Sequence, residues 1–127
     1  MVAKQSAGKR VLNLFCYTGS FSVYAAQGGA SEVVSVDLSN TYLDWAQKNM
    51  QLNNFTDQRY SYIKADVLQW LPKVPNEYFD LIVLDPPTFS NSKMMKDVFD
   101  IQEMHVDLIN QCISKLKEDG VLYFSTN

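Results

Sequence analysis

From Arg10 onward, short runs of β-branched and aliphatic residues alternate with helix-like stretches, and each run ends in turn or capping residues. Few folds accept that rhythm. It specifies repeated βα units, which lay their strands side by side in a mostly parallel sheet with helices on both faces. Strands are expected over residues 11–15, 33–36, 60–64, 81–84 and 121–125. Leu81-Ile82-Val83-Leu84 is apolar throughout, the pattern of a central strand covered on both sides.

The intervening stretches carry helix signals. One helix is expected from Ser20 to Gln27, closed by Gly28-Gly29. Ser39 is placed to cap the next, with Leu43, Ala46 and Met50 on one face, joined by Tyr42 and Asn53. A short helix after Asp66 runs to Leu71 and breaks at Pro72 and Pro75. The last helix places Ile101, His105, Leu108, Ile109, Cys112, Ile113 and Leu116 along one stripe and is expected to end at Gly120.

A chain of 127 residues with 46 % hydrophobic content suits one domain. Residues 1–9 are polar and read as a linker, and residues 10–127 as the core. A sheet whose last strand is the apolar run Val121-Leu122-Tyr123-Phe124 leaves an edge that natural proteins cover or pair. The expectation is therefore a core truncated after its fifth strand, one that self-associates through that edge. Cys16 and Cys112 lack CxxC spacing and His105 is the sole histidine, so neither a disulfide framework nor a metal site is expected; the setting is cytoplasmic. No apolar run reaches the roughly 18 residues of a membrane span.

In open α/β sheets ligands bind beyond the carboxyl ends of the strands, so the informative residues follow each strand. After the first comes Phe15-Cys16-Tyr17-Thr18-Gly19-Ser20, a turn with one glycine leading into a helix whose free amides can meet polar ligand atoms. It also serves as an ordinary tight βα connection. It is not GxGxxG, because Tyr17 and Ser20 fill space that a dinucleotide loop leaves open. Asp37 ends the second strand, where a carboxylate can accept both hydroxyls of a ribose. Asp66 follows the third, where it can accept from an adenine amino group or simply cap a helix. Asp85-Pro86-Pro87, followed by Thr88-Phe89, closes the fourth strand with an acceptor, a rigid bend and an aromatic, a rim suited to a planar base.

Taken together, Asn13-Leu14-Phe15-Cys16-Tyr17-Thr18-Gly19-Ser20, Val36-Asp37-Leu38-Ser39, Lys64-Ala65-Asp66 and Leu84-Asp85-Pro86-Pro87-Thr88-Phe89-Ser90-Asn91-Ser92-Lys93 resemble class I S-adenosylmethionine-dependent RNA methyltransferases. The likeness runs from Lys9 onward and is closest to the guanine-N7 half of the bacterial bifunctional large-subunit ribosomal RNA guanine methyltransferases. It implies a Rossmann-like fold with two further strands beyond the fifth, and S-adenosyl-L-methionine as cofactor. It places Phe15, Tyr17, Thr18, Gly19 and Ser20 on the methionine side, Asp37 at the ribose, Asp66 at the adenine and Asp85 at the methyl group, with Leu38 and Val67 among the cofactor contacts. Asp85 and Pro86 become the catalytic pair, with Pro87 and Phe89 against the target base.

Guanine N7 attacks with a ring lone pair and loses no proton, so Asp85 would orient the base or stabilise developing charge rather than act as a general base. An exocyclic amine would instead hydrogen-bond to Asp85 and the Pro86 carbonyl. Cytosine C5 needs a cysteine nucleophile, which related enzymes carry in a Phe-Ser-Cys context where this chain reads Phe124-Ser125-Thr126. A module that binds the cofactor without catalysis is the rival from another class. The net charge of −3 sets a further limit: ribosomal RNA as partner needs phosphate contacts from outside this chain, beyond what Lys93 and Lys96 supply. His105, on an apolar stripe, is expected to be a core residue.

Overall fold

A computed structural model describes residues 5–86 and 98–125. Ten elements follow one another: β1 (Arg10–Leu14), α1 (Ser20–Gln27), β2 (Glu32–Asp37), α2 (Asn40–Leu52), β3 (Tyr60–Lys64), α3 (Val67–Trp70), a 3-10 turn (Leu71–Lys73), β4 (Phe79–Leu84), α4 (Val98–Lys115) and β5 (Leu116–Phe124). The strands form one parallel sheet in the order β3-β2-β1-β4-β5. The chain builds outward from β1 in one direction and then crosses back to β4, so the strand order reverses between β1 and β4. Such a reversal opens a crevice at the carboxyl ends of the strands.

The two faces follow from the period-two alternation of a strand. Leu12 and Leu14 of β1, Val34 and Val36 of β2, and Ile82 and Leu84 of β4 point to one side, where Leu71, Leu108, Cys112 and Leu116 bury them. Val11, Val33, Leu81 and Val83 point to the other and pack against Ala25 and Ala30. β4 is buried on both faces, as its apolar run requires. On the α1 side a buried polar chain joins three elements: Asn13 Nδ2 donates to Ser22 Oγ at 3.0 Å, and Ser22 Oγ lies 2.6 Å from Ser35 Oγ. These bonds fix the start of α1 against β1 and β2.

Ser39 caps α2, its Oγ accepting from the Tyr42 amide, and Leu43, Ala46 and Met50 form the buried face. Tyr42 leaves that face and is exposed, and Asn53 forms the C-terminal cap. The end of the last helix also departs from expectation. α4 stops at Lys115, because Leu116 is drawn into the sheet opposite Phe79. The next pair is Leu81 with Val121, so residues 117–120 bulge outward opposite Asp80 alone. Gly120 sits in that bulge, where a Cβ would press to within 2.8 Å of the Leu116 side chain. Ile113 faces solvent instead of joining the stripe. Among the described residues β5 is the outermost strand.

Candidate functional site

Parallel register brings the strand ends level. Leu14 pairs with both Val36 and Leu84, Asp37 with Lys64, and Leu84 with Phe124. The segments that follow β1, β2, β3 and β4 therefore meet along one rim, and the expected residues Phe15 to Ser20, Asp37, Leu38, Asp66, Val67, Asp85 and Pro86 all lie on it. Pro87 and Phe89, with Thr88, Lys93 and Lys96, lie outside the described residues.

Asp37 organises the rim. It is only 7 % exposed, and its two oxygens are shared between loops: Oδ2 accepts from the Tyr17 amide at 3.1 Å and Oδ1 from the Ser39 amide at 3.0 Å. Each oxygen of a carboxylate has a second lone pair, so these bonds leave acceptor capacity for a diol. The Cys16 amide adds a 3.0 Å bond to the Val36 carbonyl, which holds the loop after β1 against the end of β2.

That loop is strained. Phe15 and Tyr17 adopt positive φ, at 60° and 50°, in a region disfavoured for side-chain-bearing residues. Such strain persists only where the surroundings over-determine it, and Tyr17 is held at both ends. Its amide is bound to Asp37, and its hydroxyl donates to the Asp85 carbonyl at 2.8 Å. Burial, reinforced by Asp85 and Asp37, raises the Tyr17 phenol to about 12, so it stays a donor. Gly19 carries φ 84°, and a Cβ there would lie 2.8 Å from that of Ala46. Its close approach is thus to α2. Thr18 and Ser20 remain exposed on the rim, and Asn49 fixes the Thr18 carbonyl at 2.7 Å.

Asp66 caps α3, Oδ1 accepting from the Leu68 amide at 2.9 Å. The cap occupies one oxygen and leaves the other free of hydrogen bonds among the described residues. Val67 is buried beside it, while Leu38 stands exposed after β2. A mostly apolar cavity of about 170 Å³ opens next to Asp66, walled by Phe15, Leu68, Pro86, Met104 and His105. An apolar slot with a carboxylate at one end matches a planar heterocycle that carries an amino donor. His105, expected in the core, lines this slot with its ring edge-on to Phe124 and its Nε2 buried without a hydrogen-bond partner among the described residues.

Asp85 is 8 % exposed and takes a 3.1 Å hydrogen bond from Ser125 Oγ on Oδ1. Ser125 and Met104 were not anticipated: Ser125 follows the last strand as a single polar residue, and Met104 reads as ordinary helix. Both cysteines are free and buried, and desolvation pushes each thiol up to about 12, with Asp37 adding to the effect at Cys16. Neither offers the thiolate that attack on a cytosine ring requires. Among the described residues no cluster of side chains fits a metal, and no helix is long and apolar enough to cross a membrane.

Comparisons with known proteins agree with this geometry. Residues 1–111 match the family model for S-adenosylmethionine-dependent methyltransferases. Among curated relatives, the ribosomal RNA large subunit methyltransferase K of Neisseria meningitidis serogroup B is 56 % identical over 128 residues, covering 99 % of this chain and 36 % of the relative. The ribosomal RNA large subunit methyltransferase K/L of Saccharophagus degradans is 58 % identical over 126 residues, covering 99 % of this chain and 17 % of the relative. The chain thus spans about a third or less of these relatives' length. The crystal structure of SMU.776 complexed with S-adenosylhomocysteine superposes with a TM-score of 0.83 at 32 % identity, covering 99 % of this chain and 33 % of that one. The Rossmann-like sheet, the rim of strand-end carboxylates and a family match over most of the length converge: this chain belongs to the S-adenosylmethionine-dependent methyltransferase family.

Proposed function

We propose that this chain is the cofactor-holding core of a cytoplasmic enzyme that methylates a base of large-subunit ribosomal RNA, with guanine N7 as the acceptor. The observation that carries the reading is the join between Tyr17 and Asp85, which ties the loop after β1 to the end of β4 at the crevice. The names of the 56 % and 58 % identical relatives supply the substrate class.

Bound S-adenosylmethionine supplies an electrophilic methyl group; the work left to the protein is orientation and exclusion of water. Asp37 holds the ribose hydroxyls. Asp66 and the slot beside it hold the adenine, with Val67 and Leu38 flanking. Phe15 to Ser20 line the methionine side. Asp85 faces the target base with Pro86; the family resemblance assigns Pro87 and Phe89 to that base as well. Guanine N7 presents an in-plane lone pair and gives up no proton, so a fixed carboxylate beside the purine suffices. Asp85 suits that role, because Oδ1 is already anchored by Ser125 while Oδ2 makes no hydrogen bond among the described residues.

The test is methyl transfer to large-subunit ribosomal RNA lacking its modifications, using this chain alone and joined to the flanking regions its relatives carry. Nucleoside analysis should return N7-methylguanosine from the longer protein and little product from the chain alone. Asp85→Ala should lower turnover by about 100-fold. Methyl on an exocyclic amine would displace the N7 reading. S-adenosylhomocysteine binding without transfer by the longer protein would make the chain a cofactor-binding scaffold.

A further inference from the structure

The outer face of α2 carries groups that neither the core nor the cofactor rim uses. Leu43, Ala46 and Met50 already satisfy the helix's packing, yet Trp45 is 53 % exposed and Tyr42 41 % exposed. Two large aromatics one turn apart on a single helix face form a flat amphipathic surface of the kind enriched at contacts. Lys48 sits one turn beyond Trp45 with its ammonium 5.6 Å from the ring centroid, and no carboxylate pairs with it among the described residues. Tyr42 meets Tyr17 edge-on at 5.6 Å, and Tyr17 is bonded to Asp85. The aromatic face is therefore continuous with the crevice at Asp85.

We propose that Trp45 and Tyr42, with Lys48, form a stacking platform for an unpaired nucleotide of the RNA substrate close to the target base. This rests on the ribosomal RNA reading above. An acidic chain cannot hold RNA chiefly by neutralising phosphates. Stacking on an aromatic face needs few cations, because every base has a π-face, and one lysine beside the ring meets the attached phosphate.

The probe is a fluorescently labelled single-stranded dodecamer of mixed-sequence RNA, titrated into the chain with saturating S-adenosylhomocysteine and followed by anisotropy. Trp45→Ala should weaken binding about 5- to 150-fold, while Trp45→Phe retains most of it. Lys48→Gln should reduce the slope of log affinity against log salt by about 0.7, the loss of one phosphate contact on a single strand. S-adenosylhomocysteine affinity should be unchanged in all three, which shows that they fold. Equal RNA binding by wild type and Trp45→Ala, or no binding of the dodecamer by wild type with cofactor affinity intact, would overturn the platform and leave the methyltransferase reading standing. If instead Trp45→Ala abolished self-association with RNA binding untouched, the face would be a protein contact. The ribosomal RNA reading fails separately, on absence of methyl transfer.

Discussion

The Tyr17 hydroxyl donates a 2.8 Å hydrogen bond to the Asp85 main-chain carbonyl, joining residues 68 positions apart across the crevice between β1 and β4. The same residue's amide is held by Asp37, so one side chain and its backbone connect the Asp37 carboxylate at the end of β2 to the main chain of Asp85 at the end of β4. Tyr17→Phe keeps the ring and removes only the donor. A single hydrogen bond of this kind contributes about 0.5–1.5 kcal/mol. Urea denaturation should show a loss in that range, and S-adenosylhomocysteine affinity should fall several-fold as the loop loosens. A variant with unchanged affinity would show that the loop holds its shape without this link.

Asp37 combines two backbone bonds with the proposed ribose contact, so Asp37→Ala removes three interactions of a charged acceptor. Contacts to charged groups contribute about 1.5–3 kcal/mol each, and calorimetry should record at least a 10-fold loss of S-adenosylhomocysteine affinity. NADH should give no binding heat, because Tyr17 and Ser20 stand where a dinucleotide loop needs glycine. Heat from NADH would mean that the loop opens in solution.

Gly19 is constrained twice, by φ of 84° and by Ala46 lying where a Cβ would go. Gly19→Ala should destabilise by about 2–5 kcal/mol, the sum of left-handed strain and overpacking. Adding Ala46→Gly should relieve only the steric part. A double-mutant cycle should therefore show coupling of at least about 0.5 kcal/mol, and strict additivity would place the whole cost in the backbone.

The parts of this architecture that were legible in sequence are those dictated locally. Alternation and turn chemistry gave β3 and α1 their bounds, Ser39 its cap and β4 its central place. The strand-end rule located Asp37, Asp66 and Asp85, because a parallel sheet in register must bring them to one rim. What sequence could not show was long-range. Gly120 looked like a helix terminator, but pairing of Leu116 with Phe79 ended the helix earlier. His105 looked like core because its spacing is apolar, yet the slot it lines exists only where α3 and α4 converge on Phe15. Ser125 gave no signal at all, since its role depends on Asp85 being at the end of the neighbouring strand.

Alkaline pH should destabilise the fold in a defined window. Cys16 and Cys112 have an ordinary thiol value of 9.0 when unfolded and about 12 when folded. Above pH 9 the unfolded chain releases these protons while the folded chain keeps them, so the native state binds more protons and stability falls as pH rises. The contribution is complete below pH 9 and lost by about pH 12. Tyr17, raised for the same reason of burial, adds to the upper part of the window. Thermal denaturation from pH 8 to 11 should show a declining midpoint, with a shallower decline in Cys112→Ala. Neither thiol should react with a disulfide reagent at pH 8 until the chain unfolds, and rapid native reaction would contradict their burial.

Among the described residues β5 is the outermost strand of the sheet, paired to β4, with Val121 and Phe124 exposed along it. An unpaired parallel edge with apolar side chains offers a row of free backbone groups together with surface that gains from leaving water. A second copy of the chain can satisfy both by adding its own β5. Sedimentation velocity should therefore show association that grows with concentration. Val121→Lys should suppress it without loss of S-adenosylhomocysteine binding, because a charge on the edge strand penalises pairing and touches nothing on the rim. A wild-type chain that stays monomeric at high concentration would mean that the bulge at residues 117–120 already twists the edge enough to protect it.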